Sequence, residues 1–493
     1  MLLVGQFSTH TPQPLHFCVS TSIAPLNAII ISFKVFINFL QNCSNLSKTI
    51  GFIAKYHKNL VTLETLIVLS MSKVLLENIT VAGALSVILI EDNRIKTISP
   101  AGSQLSACHD DEGLERFDCK GKTAVPGFVN MHTHAGMSMM RGVGEDIAFH
   151  EWIANIWKIE LDLTPEYVYH ATKMACLEMI KTGTTTFNDH YWYMPEGQRA
   201  AAELGLRGIH AYVICDRNDP EESKRQMQQC QEMYEISRNW PSTSIFAIAI
   251  HAIYSVREPM IVWATEFARK HGLKIHIHVS ETQKEIDDCK AQHGGMSPVE
   301  YLDSLGVLGP DVIAAHTLWL SEKDIEILGK RGVTCVHNVN SNLKLASGYR
   351  FLYNELRDAG ANICLGTDGC ASSNNLDMLE TMKTSAMIQK AWRQDPSAMP
   401  LPELMDMATV NGGKAFGLEI GKIEEGALAD ILIVDTDSYN FISPGTFEAN
   451  LVYSAHSDCI DSVMIDGRFV MKNRVVPGEK EILAEAKKFL NRI

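Results

Sequence analysis

The chain has 493 residues, with 44 Lys and Arg against 58 Asp and Glu, which gives a formal net charge of −14. This acidic balance argues against non-specific nucleic-acid binding, which needs basic side chains to neutralise phosphates. Hydrophobic residues make up 46% of the chain and charged residues 21%, a composition that excludes a largely disordered protein. The twelve cysteines include no CxxC pair, so neither a thiolate zinc knuckle nor a thioredoxin-type motif is indicated. Twelve cysteines in a chain this long are not a disulfide scaffold, which favours a reducing, cytoplasmic compartment.

The first 70 residues differ from the rest, because they contain few acidic side chains. Residues 23–40 form an apolar stretch that Lys34 interrupts, whereas a membrane-spanning helix needs about 20 uninterrupted apolar residues. No Lys or Arg precedes Lys34, so a secretory signal is not indicated. We interpret residues 1–70 as an upstream extension outside the fold, with a membrane anchor as the alternative, and we expect no membrane partner.

Short apolar strands separated by polar turns begin after Met71, as in KVLLENITV at 73–81. The same pattern returns near the other end of the chain, as in GKIEEGALADILIVD, which begins at Gly421. Alternation of apolar and polar residues is typical of half-buried strands. Residues 71–124 and 421–478 are therefore predicted to pair into one small composite β-sandwich.

The middle of the chain, residues 125–420, alternates apolar strand candidates with amphipathic helical stretches. The strand candidates are 124–134, 183–190, 208–214, 244–252, 274–281, 312–317, 334–342 and 362–369. Eight strands with helical crossovers over this length predict an α/β fold, a (βα)8 TIM-type barrel. A doubly wound open sheet is the alternative, although no glycine-rich phosphate loop follows any of the strands.

Nearly every strand candidate ends in a histidine or a carboxylate. These residues are His132, His134, Asp189, His190, His251, His278, Glu281, His316, His337 and Asp368. Barrel active sites lie at the C-terminal ends of the strands, so residues far apart in the chain are predicted to meet at one mouth.

Four of these residues are predicted metal ligands. His132 and His134 are two positions apart on a strand, so both side chains point to the same side. His278 follows the same HxH pattern, with His276 assigned to packing, and Asp368 follows an apolar run. Three imidazoles and one carboxylate suit Zn²⁺, or Fe²⁺ in the same geometry, with one position open for water.

Two further residues are predicted to move protons. Glu281, three residues after His278, can protonate a leaving group or a ring nitrogen, and His316 can orient the water. His190 and His337 are interpreted as core histidines.

The sequence resembles the amidohydrolase superfamily, and within it the methylthioadenosine/S-adenosylhomocysteine deaminases and the triazine chlorohydrolases. The resemblance extends from about Ser72 to the C-terminus. It rests on long motifs, among them PGFVNMHTHAGMSMMRGVGEDI at 126–147, HNVNSNLKLASG at 337–348 and GTDGCASSNNLDMLE at 366–380.

The resemblance implies roles for individual residues. It implies metal ligation by His132, His134, His278 and Asp368, and catalytic roles for Glu281, His316 and Asp368. It also implies substrate contacts at Glu160, His251, Glu281, Asp368, Trp152 and Ser372, with Glu160 on the ribose. Binuclear members use a Lys on the fourth strand, and SIFAIAIHA at 244–252 has none, which implies one metal per subunit. The family also implies a homo-oligomer, although Tyr212 stands where family members place an arginine that reaches a neighbouring subunit.

We therefore expect a metal-dependent hydrolytic deaminase of nucleoside metabolism. Its substrates would be 5′-substituted adenosines such as methylthioadenosine or S-adenosylhomocysteine, converted to the inosine analogue and ammonia. The alternative is hydrolysis of another nitrogen heterocycle, such as a triazine, a guanine-like base or a pterin. A catalytically silent scaffold protein is a third hypothesis, which predicts missing ligands.

Overall fold

A computed structural model describes residues 73–103 and 113–489 of the chain. The predicted extension, residues 1–70, lies outside the described residues, as does the apolar stretch at 23–40. Within the described ranges, no helix is both long enough and apolar enough to cross a membrane.

The described strands form two sheets. The strands are β1 (Lys73–Val81), β2 (Ala84–Glu91), β3 (Arg94–Pro100), β4 (Leu114–Pro126), β5 (Phe128–Thr133), β6 (Thr184–His190), β7 (Arg207–Ile214), β8 (Ser244–Ile250), β9 (Ile275–Val279), β10 (Val312–His316), β11 (Thr334–His337), β12 (Asn362–Leu365), β13 (Ile431–Asp435), β14 (Ile460–Ile465) and β15 (Arg468–Met471).

Strands β5 to β12 form the predicted barrel. They pair in chain order and each pair is parallel, from β5 next to β6 through to β11 next to β12. The first and last strands are joined by Asn130, whose side chain donates to Thr367 Oγ1 at 2.7 Å and accepts from the Thr367 amide at 3.0 Å. The eight strands thus form a nearly closed α/β barrel.

Helices follow the barrel strands. The described α-helices are α1 (Phe149–Glu160), α2 (Pro165–Lys181), α3 (Met194–Leu204), α4 (Pro220–Ser237), α5 (Glu258–His271), α6 (Gln283–Gln292), α7 (Pro298–Ser304), α8 (Glu322–Arg331), α9 (Val339–Lys344), α10 (Tyr353–Asp358), α11 (Cys370–Ser373), α12 (Met378–Arg393), α13 (Leu401–Ala408), α14 (Val410–Phe416), α15 (Phe447–Ala449) and α16 (Glu479–Lys487). Local sequence sets several starts, because Ser297 and Ser321 each form a capping box at the N-terminus of the helix that follows.

The chain ends join as the β-patterning predicts. Strands β1 to β4 and β13 to β15 form one seven-stranded mixed sheet in the order β15-β14-β13-β4-β1-β2-β3. Strand β4 joins the two ends, because it pairs parallel with β1 and antiparallel with β13. The sheet has its own apolar core, in which Ile79, Ile88 and Ile433 are fully buried.

A buried ion pair connects this sheet to the barrel. Arg207, at the start of β7, is 2% exposed and donates to both carboxylate oxygens of Asp430 at 3.1 Å. Its guanidinium also contacts Asp466 Oδ1 at 3.1 Å.

The strand predictions are correct in number and order, with two local differences. Residues 124–126 belong to β4 of the composite sheet, and the first barrel strand begins at Phe128. The predicted strand 334–342 ends at His337, and the chain turns at Asn338 into helix α9. The backbone amide of Asn342 donates to the backbone carbonyl of Asn338 at 3.0 Å, so these two buried backbone groups form a hydrogen bond within a helical turn.

Candidate metal and active site

The site is built on the HTH segment that ends β5. His132 and His134 lie on the same side of the strand, with ring centroids 4.8 Å apart. Directly after them the chain turns into a buried 3₁₀ segment, Ala135–Met140. Asp189, at the end of neighbouring β6, accepts from the Ala135 amide at 2.8 Å and from Thr133 Oγ1 at 3.0 Å. Asp189 of β6 thereby fixes the position of the chain at the end of β5, where His132 and His134 lie.

The predicted ligands converge. Asp368 Oδ1 lies 3.3 Å from His132 Nε2 and 3.1 Å from His134 Nε2. His278 Nε2 lies 3.4 Å from His134 Nε2. The candidate ligand atoms of His132, His134 and His278 all lie within 4.8 Å of one another, as do those of His132, His316 and Asp368.

Hydrogen bonds on the far side of each ring aim the Nε2 atoms into the cluster. His134 Nδ1 donates to the His190 carbonyl at 2.5 Å, and His278 Nδ1 donates to the His251 carbonyl at 2.7 Å. His132 Nδ1 lies 2.8 Å from His276 Nε2. These bonds favour the tautomers that carry the proton on Nδ1, which leaves the Nε2 lone pairs free for a cation.

Asp368 is held by two hydroxyls. Ser341 and Ser372 donate to Asp368 Oδ2 at 2.6 and 2.8 Å, and the Gly369 amide donates to Oδ1 at 2.8 Å. Ser372 is 1% exposed and does not line the cavity described below. Ser372 therefore contacts the carboxylate of Asp368, and the substrate contact implied for it stays a prediction.

The electrostatics of the cluster fit a cation. Burial opposes a charge on His134, but the hydrogen bond and negative charge of Asp368 outweigh it and raise the pKa of His134 to about 9. For His132 burial dominates and lowers the pKa to about 4. His132 Nε2 is buried and has no hydrogen-bond partner among the described residues. Three imidazoles and a carboxylate thus surround a point that attracts positive charge, and such a donor set suits zinc or iron.

Glu281 and His316 face each other beside the cluster, with His316 Nε2 3.8 Å from Glu281 Oε2. The Glu281 loop is fixed by Glu285, which accepts from the amides of Ser280 and Glu281 at 2.9 and 2.8 Å. His316 Nδ1 donates to Asn342 Oδ1 at 2.9 Å, so its Nε2 points toward Glu281. Burial raises the pKa of Glu281, which favours the protonated form that can give up a proton.

A cavity opens over the cluster. The predicted residues that line it are His134, Trp152, Glu160, His251, His278, Glu281, His316 and Asp368. Glu160, the last residue of α1, lines the same cavity as Glu281, together with aromatic side chains such as Trp157. Burial raises the pKa of Glu160. The candidate metal ligands line this cavity together with polar groups that can orient a bound molecule.

Several residues of the site were not among the predicted ones. Ser341 and Asn342 hold Asp368 and His316, and Glu285 holds the loop that carries Glu281. His276 has the packing place predicted for it, against His132. Tyr212 does not line the cavity, and its hydroxyl donates to Gln229 on α4 at 3.1 Å. A polar residue near a strand end was the available signal, but it does not reveal which residue elsewhere in the chain is its partner.

Residues 123–470 match the profile of the amidohydrolase family. The chain belongs to this family.

Family relatives are similar over most of the chain. A 5′-deoxyadenosine deaminase from Methanoregula boonei is 42% identical over 393 residues, which cover 79% of this chain and 89% of the relative. A 5-methylthioadenosine/S-adenosylhomocysteine deaminase from Thermococcus sibiricus is 40% identical over 386 residues, covering 78% and 89% of the two chains.

Solved structures share the fold. An adenosine deaminase from Xanthomonas campestris with bound zinc superposes with a TM-score of 0.79 at 28% identity, covering 85% of this chain and 98% of that one. The atrazine chlorohydrolase of Arthrobacter aurescens, complexed with zinc, has a TM-score of 0.77 at 20% identity, covering 85% and 100%.

Proposed function

We propose that the protein is a metal-dependent hydrolytic deaminase of adenine nucleosides, acting on 5′-deoxyadenosine, methylthioadenosine, S-adenosylhomocysteine or related 5′-substituted adenosines. The products are the inosine analogue and ammonia. The observation that carries the proposal is that Glu281, which lies beside the ligand cluster, lines the same cavity as Glu160 and His251. The names of the relatives support an adenine nucleoside over the other heterocycles, because the chlorohydrolase likeness extends to the fold alone.

The metal site would take His132, His134, His278 and Asp368 as ligands, with zinc proposed and Fe²⁺ as the alternative. When bound, such a metal lowers the pKa of water and supplies a nucleophile near neutral pH. Zinc in the similar structures supports this choice. The metal content of the purified protein tests it, and chelation should abolish turnover until the correct ion is restored.

The chain's own residues would supply the proton transfers. Glu281, whose pKa burial raises, gives a proton to ring nitrogen N1 of the adenine as water adds at C6. His316, held by Asn342, stabilises the charge that develops at the attacked carbon. The water that adds at C6 supplies two protons: one restores the proton of Glu281, and the other passes to the 6-amino group. This group leaves as ammonia, C6 becomes the carbonyl carbon of the product, and the ring regains its aromaticity.

The direct test is ammonia release by zinc-loaded protein. The panel is methylthioadenosine, S-adenosylhomocysteine, adenosine and 5′-deoxyadenosine, with guanine and a chlorotriazine alongside. We expect turnover of at least one adenine nucleoside, and the ranking identifies the 5′ group. Activity on a free base or triazine without activity on any nucleoside would support the alternative function.

The ribose contact has its own test. Glu160→Ala should lower kcat/KM on nucleosides by about tenfold to a thousandfold, because a hydrogen bond to a charged group is lost in a buried site. Glu151→Ala, an exposed residue of the same helix, is the matched control. Unchanged kcat/KM in Glu160→Ala would exclude the nucleoside assignment.

We also propose a cytoplasmic location and a homo-oligomer. The first is supported by the cysteines of the described residues, from Cys119 to Cys459, which are all free and buried. The second rests on the family resemblance and is tested by light scattering.

A further inference from the structure

His190, the last residue of β6, is a polar residue of the cavity wall that the proposed chemistry does not use. Its ring centroid lies 4.5 Å from that of His278 and 5.5 Å from that of His134. His190 belongs to neither group of described residues whose atoms could share a metal ion. It therefore stands beside the ligand cluster without being part of it.

The ring of His190 lacks hydrogen-bond partners. The residue is 2% exposed, and among the described residues neither Nδ1 nor Nε2 has a partner. Buried polar atoms of native proteins are almost always hydrogen-bonded, and leaving them unpaired is destabilising. An imidazole that lines a cavity and finds no protein partner is in position to bind what the cavity holds.

The strand order fixes where His190 lies relative to Glu281. The eight barrel strands follow one another in chain order, so β6 is four strands away from β10 and on the opposite side of the barrel. Glu281 follows β9, which is three strands away from β6, and it faces His316 at the end of β10, whereas His190 ends β6. A flat heterocycle that binds between Glu281 and His190 would present one edge to Glu281 and the other edge to His190.

The chemistry of adenine identifies the atom at that second edge. The carbon under attack, C6, has N1 as one neighbour and C5 as the other, and C5 is bonded to N7. If Glu281 meets N1, the edge that turns toward β6 carries N7, which is a hydrogen-bond acceptor. We propose that the His190 imidazole donates a hydrogen bond to N7 of the bound purine and is a further substrate-binding residue.

This inference rests on the proposed function and refines it. A neutral imidazole carries one N–H, which is the donor that N7 requires. The contact selects purines over heterocycles that have no acceptor at this edge, since a site built to hydrogen-bond a substrate discriminates strongly against an analogue that lacks the partner.

The test uses inosine and 7-deazainosine, which differ at N7 alone, as competitive inhibitors of nucleoside deamination. The wild-type protein should bind inosine about tenfold to a hundredfold more tightly than 7-deazainosine. In His190→Leu this ratio should fall to about threefold or less, because the donor is gone. His190→Gln keeps an N–H donor and should retain part of the preference.

A matched control is His210→Leu. His210 is also a buried histidine without described ring partners, but it packs against Phe187 and Trp240 and does not line the cavity. This variant should keep the wild-type ratio. Inhibition constants do not depend on the active fraction of a preparation, so partial loss of metal or of folded protein leaves the ratio intact.

The possible outcomes separate the proposed N7 contact of His190 from the proposed deaminase function. Equal weakening of both inhibitors in His190→Leu, with the ratio unchanged, would mean that His190 supports the cluster, and the N7 contact would be wrong. The same holds if the wild-type protein does not discriminate between the inhibitors. If the wild-type protein deaminates no adenine nucleoside, the proposed function fails and the N7 contact falls with it.

Discussion

Single ring nitrogens decide what this site can do. Residue type and strand position were enough to predict that His132, His134, His278 and Asp368 would meet, because the ends of parallel barrel strands converge. Their orientation could not be predicted, because it depends on the His190 and His251 carbonyls and on the His276 ring. No local pattern in the sequence encodes contacts of that kind.

The proton transfer assigned to Glu281 is tested by Glu281→Gln. This change keeps the shape of the side chain but removes the transferable proton, so we expect kcat to fall by about 10²- to 10⁴-fold while metal content stays constant. Asp287→Asn, on the exposed side of α6, is the matched carboxylate-to-amide control. Near-normal turnover in Glu281→Gln would contradict the assignment.

The hydroxyls that hold Asp368 should affect metal affinity. Ser372→Ala removes a 2.8 Å hydrogen bond to Oδ2 and should weaken metal binding by about tenfold to a hundredfold. The neighbouring Ser373→Ala is the control, since Ser373 Oγ bonds the Gly369 and Asn375 carbonyls instead. Competition with a chelator of known affinity measures the difference, and equal affinities would assign Ser372 a different role.

At the scale of elements, the strand ends carry the site and the segments after them set its geometry. The periodic strands and their order were predictable, but the end of the run 337–342 was not, because its single apolar residue, Val339, gives no periodicity that favours strand or helix. The structure continues it as α9, which brings Ser341 to Asp368 and Asn342 to His316. Both bonds depend on the turn at Asn338.

The β6 end makes a pH-dependent contribution to stability. Burial raises the pKa of Asp189 from 3.8 to about 6. The folded protein therefore holds this proton more tightly than the unfolded chain does, and stability is lost as pH rises from about 4 to about 6. Asp189→Asn cannot ionise but still accepts from Ala135, so it should be more stable than wild type above pH 6, by about 3 kcal/mol.

Urea unfolding of the metal-free proteins between pH 4.5 and 7.5 measures this difference. The gap between variant and wild type should widen up to about pH 6 and then level off. A constant gap across the range would show that Asp189 has the same pKa in both states.

At the scale of the whole molecule, the barrel and the composite sheet are joined by charged groups as well as by packing. The pairing of the chain ends was predictable from matching β-patterns. The Arg207 contact with Asp430 and Asp466 was not, because these residues are more than 200 positions apart. Burial opposes the charge of Arg207, but Asp430 and Asp466 outweigh it and raise the pKa of Arg207, so the guanidinium stays charged.

Breaking this ion pair should destabilise the fold. Arg207→Met leaves Asp430, which is 1% exposed, without its cation and should lower the free energy of unfolding by about 3–5 kcal/mol. Arg238→Ala, which removes an exposed ion pair with Glu235, should cost less than about 1 kcal/mol. Denaturant titration compares them, and equal effects would mean that the buried pair contributes no more than a surface one.

The composite sheet also constrains how the chain folds as it leaves the ribosome. Pro126 of β4 pairs with Ile431 of β13, which is synthesised about 300 residues later. Until then the nascent chain carries β4 with one unpaired edge, which is a template for pairing with other chains. The sheet therefore cannot be completed before β13 is synthesised, and a chain that stops before β13 keeps an unpaired strand edge even if every barrel strand is present.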